Sequence, residues 1–213
     1  MHSERIFGNE KDPELAQLQG FLLSNHQQTD TILDIGPWCE GSTKVCSLHT
    51  KQLETIDLKH RTALEKMVRK QWVEDYLFAD LPEYDFVVCV STLEHIGVTP
   101  LKMLDPREMQ LFAVQKILDQ AKKGVFLTFP YGQPVLYKQN YFNIDRTMVA
   151  EMENMAKGFD VTKKFLTTKT PKLPDSWREV SQKQADRAEN KLKEGTLTIA
   201  IISMLRCKKK GGD

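Results

Sequence analysis

Three carboxylates and a glycine-bearing loop are the residues of this 213-residue chain best placed to do chemistry. Asp34 lies in the short apolar run Ile32-Leu33-Asp34-Ile35, which closes on Gly36. Asp57 ends a second such run, and Asp80 stands just past a third. After the first run comes the loop Gly36-Pro37-Trp38-Cys39-Glu40-Gly41. Glycine in such a loop lets a ligand approach the backbone closely. An acid ending the second strand, roughly 20 residues on, is placed to accept from ribose hydroxyls. Together these features point to an adenosine-containing ligand. The loop departs from the G-x-G-x-x-G pattern: Gly36 and Gly41 fill the first and third positions, and Trp38 stands where the middle glycine belongs.

For these residues to meet, the apolar runs must be strands of one sheet whose carboxyl ends share an edge. The pattern predicts strands over 31–36, 52–57, 72–78, 84–91, 124–130, 159–168 and 196–206. The run 84–91 is continuously apolar, as expected of a strand buried on both faces of a parallel sheet. Helices are expected over the lead-in before residue 30, from 40 to 48 with Ser42 or Thr43 as cap, and over 60–69. Others are expected over 106–122, over 145–156 with Asp145 as N-cap, and briefly within 177–192. Alternating strands and helices predict an α/β fold with a mostly parallel sheet.

Composition narrows the function classes. Lys and Arg total 30 against 29 Asp and Glu, a net charge of +1, so the basic excess of a chain that coats nucleic acid is missing. No run approaches the ~20 apolar residues of a membrane helix. Cys39, Cys46, Cys89 and Cys207 form no CxxC pair, and no histidine sits at zinc-ligand spacing from two of them, so no metal site is expected. We therefore expect free thiols, a reducing cytoplasmic setting and a soluble globular chain. The tail 208–213 reads as a frayed, disordered terminus.

The segments Ile32-Leu33-Asp34-Ile35-Gly36 with Gly41, Thr55-Ile56-Asp57, Ala79-Asp80-Leu81 and 84–97, ending Ser91-Thr92-Leu93-Glu94-His95-Ile96-Gly97, carry a resemblance. Together they resemble the class I S-adenosylmethionine-dependent methyltransferases over nearly the whole chain. Residues 124–132 and 177–181 resemble a largely uncharacterised branch associated with glycan and natural-product pathways. The resemblance implies a Rossmann-like seven-stranded sheet, mostly parallel with an antiparallel last strand, helices on both faces, and one methyltransferase domain over 1–213. It implies S-adenosyl-L-methionine as cofactor. Gly36 and Gly41 would then shape the loop against its methionine part, with Asp34 positioning that loop and the amine. Asp57 would take the ribose hydroxyls, Asp80 the adenine amino group, and Leu81 would offer a backbone N–H. Ser91, Thr92 and Leu93 would line the sulfonium.

Methyl transfer asks mainly for alignment, which is worth up to ~7–11 kcal/mol in well-oriented systems. An acceptor that must lose a proton also needs a base. His95 is the first candidate, with Glu94 beside it; the alternative is that both serve packing or hydrogen bonding. Tyr131, Tyr137 and Tyr141 are candidates to shape an acceptor pocket or to anchor their loop. Trp177, Arg178 and Glu179 are candidates for the same side or for the sheet edge, and Arg146 reads as a solvated helix charge. A small-molecule acceptor is expected, with nucleic acid and membrane disfavoured. Two alternatives stay open: a non-catalytic or degenerate methyltransferase-fold module, suggested by Trp38, and a nicotinamide-dependent oxidoreductase, although no Tyr-x-x-x-Lys pair is present.

Overall fold

The computed structural model describes residues 12–36, 41–57, 68–70, 73–78, 80–98, 105–133, 136–137, 141–169, 176–188 and 197–207. The first half runs α1 (Asp12–Asn25), β1 (Ile32–Ile35), α2 (Gly41–His49), β2 (Leu53–Asp57), β3 (Val68–Lys70), α3 (Val73–Phe78) and β4 (Tyr84–Val90). A 3-10 turn over Leu93–His95 leads towards α4 (Pro106–Gln120) and β5 (Ala121–Pro130). Then come the hairpin β6 (Leu136–Tyr137) and β7 (Tyr141–Phe142), α5 (Arg146–Met155), β8 (Phe159–Thr168), β9 (Arg178–Val180), α6 (Gln182–Ala185) and β10 (Leu197–Arg206).

The main sheet has the order β3-β2-β1-β4-β5-β10-β8-β9. β1 pairs in parallel with β2 and β4, β2 with β3, and β4 with β5. β10 is antiparallel to both of its neighbours, β5 and β8. Six of the seven expected strands are thus present, β3 taking the place of the seventh, and the last strand is reversed and inserted between β5 and β8. β9 adds a short eighth strand at the edge. Parallel strands carry their loops at a common carboxyl edge, which puts the ends of β1, β2 and β4 together.

Strand residues alternate between two apolar layers, as the period of two demands. Leu33, Val87 and Val125 face the layer that receives Ala113, Val114 and Ile117 of α4 and Val149 and Met152 of α5. Ile32, Phe86 and Phe126 face the opposite layer, which receives Leu18 and Leu22 of α1 and Cys46 of α2. Phe21 of α1 meets Phe86 edge-on at 5.8 Å between centroids and Phe126 at 5.5 Å. At the amino edge, the Lys123 ammonium is held by Asp30 and lies 3.3 Å from Asp85. Asp85 also accepts the Thr31 N–H at 2.9 Å, which ties β5, β4 and the entry to β1.

Several local expectations change. Residues 73–78 form a helix, not the third strand; Tyr76 and Leu77 are adjacent and both buried, whereas Phe78 is 74% exposed. Strand alternation cannot bury two neighbours on one face, and a helix turn can. The third strand is instead Val68–Lys70, which begins inside the stretch 60–69 expected to be helical; 60–67 lie outside the described residues. Asp145 is the N-cap of α5, accepting from the Met148 N–H at 2.8 Å. Ser42 and Thr43 are not caps, because both lie within α2 and their hydroxyls serve Asp34. The helix expected within 177–192 is four residues of α6, started by a capping box on Ser181 and Gln184 and preceded by β9. The 208–213 tail lies outside the described residues.

Candidate active site at the carboxyl edge of the sheet

β1 delivers Asp34 and Gly36 to the carboxyl edge. Asp34 is fully buried, and one carboxylate oxygen accepts the hydroxyls of Ser42 at 2.9 Å and Thr43 at 2.7 Å. The acid therefore holds the first turn of α2, which begins at Gly41, against the end of β1. Below it, burial pushes the Cys46 thiol well above its ordinary range, and the Asp34 charge adds to the shift. Cys46 is thus a core residue rather than a nucleophile.

Gly36 donates its N–H to Ile56 O at 2.7 Å, next to Asp57 at the end of β2. Its φ is +66°, and a Cβ there would lie 2.2 Å from Thr92 Cγ2. The Thr92 hydroxyl donates to Gly36 O at 2.7 Å. Only glycine fits this left-handed, tightly backed position. Ser91, just past β4, has φ +45°, and it is the one non-glycine with positive φ among the described residues. Its N–H donates to Thr128 O and Oγ1, both at 3.0 Å, and its hydroxyl donates to Glu14 Oε1 at 2.7 Å.

Asp34, Gly36, Gly41, Ser91 and Thr92 are thus brought to one edge, with the β2 terminus at Asp57 beside them. Leu93 and Glu94 are buried in the 3-10 turn that follows. His95 is about two-fifths exposed, with Nε2 3.9 Å from Glu94 Oε1, outside hydrogen-bond range. Trp38 and Cys39 lie outside the described residues.

Asp80 and Leu81 are not part of this cluster. They precede β4, and the Leu81 carbonyl accepts from Gln120 Nε2 at 3.4 Å. Gln120 ends α4 just before β5 starts at Ala121, and Ala121 registers with Tyr84 at the start of β4. Both residues therefore lie at the amino edge, away from the position an adenine contact requires. The cause is the helix α3, which returns the chain from the carboxyl end of β3 at Lys70. Residues 71–72, which follow Lys70, lie outside the described residues.

Of the three tyrosines, Tyr131 is fully buried, stacks on Phe165 at 4.7 Å and donates its hydroxyl to Asp186. Burial and that carboxylate push its phenol well above its ordinary range. It anchors the end of β5 to α6 and does not line an acceptor pocket. The backbones of Tyr137 and Tyr141 pair in register across the β6–β7 hairpin. Trp177 packs against the second apolar layer, and Arg178 and Glu179 lie in the edge strand β9, as their edge reading anticipated. Arg146 is largely exposed, 3.6 Å from Asp186. Glu14 and Thr128 support the site without having been singled out in sequence, and Ser42 and Thr43, read there only as helix caps, support it through Asp34.

No family model and no curated protein matches the sequence. Solved structures do match. Magnesium protoporphyrin IX methyltransferase from Synechocystis PCC 6803, with bound S-adenosylmethionine, superposes with a TM-score of 0.58 at 12% identity, over 92% of this chain and 80% of that one. The fold is that of the class I methyltransferases. The N-methyltransferase NodS from Bradyrhizobium japonicum WM9, in complex with S-adenosylhomocysteine, gives 0.57 at 13% identity over 94% and 88%. Burkholderia thailandensis 1,6-didemethyltoxoflavin-N1-methyltransferase, with 1,6-didemethyltoxoflavin and S-adenosylhomocysteine bound, gives 0.58 at 12% over 94% and 80%. Open α/β sheets bind ligands outside the carboxyl ends of their strands, and Asp34, Gly36, Ser91 and Thr92 stand at that edge here.

Proposed function

We propose that this chain transfers a methyl group from S-adenosyl-L-methionine to a small-molecule acceptor. The observation that carries this reading is the joining of Asp34, Gly36 and Thr92 at the carboxyl ends of β1 and β4. A buried acid, a left-handed glycine and two hydroxyl residues at the strand ends are the groups that would receive the methionine half of the cofactor. Asp57, ending β2, is the acceptor for the ribose hydroxyls. The cofactor, when bound, supplies a methyl on a positively charged sulfur with a neutral thioether as leaving group.

The chain's own part is alignment and proton handling. Ser91 and Thr92 fix the floor beneath the reacting carbon, and His95, exposed at the mouth, takes the proton that an acceptor loses. Glu94, buried beside it with Oε1 3.9 Å from the imidazole Nε2, backs the ring. A small acceptor is supported by two of the neighbours above, the methyltransferases of magnesium protoporphyrin IX and of 1,6-didemethyltoxoflavin. Among the described residues no helix is long and apolar enough to cross a membrane, and Cys46, Cys89 and Cys207 are free thiols. Both points suit the cytoplasmic setting we propose. A nicotinamide dehydrogenase is disfavoured by the sheet, because its usual order ends in a parallel sixth strand, whereas here the reversed β10 follows β5.

Calorimetry against S-adenosylmethionine, S-adenosylhomocysteine and NAD tests the reading. Both sulfur nucleosides should bind and NAD should not, and Asp57→Ala should lose most of that binding. Binding of NAD alone would sink the proposal, and binding of none would favour the non-catalytic module.

A further inference from the structure

α1 brings a carboxylate to the candidate site that neither the glycine loop nor the strand ends account for. Glu14 stands in the first turn of α1 and is 1% exposed. Further along, α1 packs Phe21 on Phe86 near the start of β4, and His26, just past its end, also meets Phe86. The helix therefore runs from the carboxyl edge of the sheet to the amino edge, and Glu14 is at its upper end. There its Oε1 accepts the Ser91 hydroxyl at 2.7 Å.

That hydrogen bond fixes what Ser91 offers a ligand. A hydroxyl has one proton and two lone pairs. With the proton committed to Glu14, the part-buried Ser91 hydroxyl turns only lone pairs to the site, with the Glu14 carboxyl group behind it. The Ser91 backbone is held at φ +45° by both acceptors of Thr128, so the arrangement is over-determined, as strained residues at ligand sites are. The ligand group complementary to such a surface is a positive centre.

We infer that Glu14, acting through Ser91, is a positioning residue that makes the site prefer the charged sulfonium cofactor over its neutral thioether product. This rests on the methyltransferase reading above. The reaction removes the positive charge from sulfur, so the pair stabilises the ground state more than the transition state. Its benefit is discrimination and product release, not a faster chemical step. Glu14→Gln should therefore raise KM for the cofactor and leave kcat unchanged or higher.

The test is calorimetry on the full chain with three probes: S-adenosylmethionine, S-adenosylhomocysteine, and an analogue bearing a protonated amine in place of the methylsulfonium. Glu14→Gln should weaken the two charged probes on the order of tenfold and the thioether less than twofold. Ser91→Ala should shift the same ratio, which guards against a Glu14 variant that folds poorly. Equal losses for charged and neutral probes, or no loss for any, would overturn the inference while leaving the methyltransferase reading intact. A wild-type chain that binds none of the three overturns both.

Discussion

Gly36 is the residue on which the geometry of the candidate site turns. Its φ of +66° costs a residue with a side chain roughly 1–2 kcal/mol. A Cβ 2.2 Å from Thr92 Cγ2 adds overpacking of about 1–3 kcal/mol. Gly36→Ala should therefore lower stability by about 2–4 kcal/mol in urea titrations and abolish cofactor binding. Because the two side chains touch, Thr92→Ala should restore part of that stability in the double variant. A single variant within 0.5 kcal/mol of wild type would mean the backbone is freer than its φ indicates. Asp34 and Gly36 were legible in sequence, because an acid and a glycine closing an apolar run have few structural substitutes. Glu14 was not, since its partner Ser91 lies 77 residues away.

At the scale of elements, the contact between α1 and α2 carries a pH dependence. His26, just past α1, meets His49, the last residue of α2, with rings edge-on at 5.7 Å. Burial, and then His26, lower the His49 pKa below the ordinary 6.5. The unfolded chain then binds a proton near pH 6.5 that the folded chain resists. Between the folded value and 6.5 the unfolded state holds more protons, so stability falls as pH falls through that window. Urea midpoints at pH 7.5 and 5.5 should show a smaller decline for His49→Gln than for wild type; equal declines would place the dependence elsewhere. The strands 84–91, 124–130 and 159–168 were readable as long apolar or β-branched runs. The segment 72–78 was not, because seven residues fit a strand or a helix until Tyr76 and Leu77 find a common apolar layer. That single reversal carried Asp80 and Leu81 from the carboxyl edge to the amino edge.

Across the whole molecule the two sheet edges divide the work, the carboxyl edge for the site and the amino edge for cohesion. Burial would raise Asp85, but hydrogen bonds from Thr31 and Lys123 hold it below its usual 3.8. Its contribution is present above pH 3.8 and lost as pH falls through the lowered folded value. Lys123 is held above its ordinary 10.5, chiefly by Asp30, so its contribution persists until the pH passes that raised value. Lys123→Met leaves buried Asp30 without its ammonium; with Lys123 itself half exposed, we expect a loss of about 1–2 kcal/mol at pH 7. Cofactor affinity, measured by calorimetry, should stay unchanged, and an equal loss at both edges would contradict the division. The sequence by itself determined the α/β class, most of the strands and the acid-glycine pair, because periodicity and residue type act locally. Only the tertiary structure decided which acids share an edge. That depends on where each connection returns the chain, and on buried partners such as Glu14 and Ser91 that are distant in sequence.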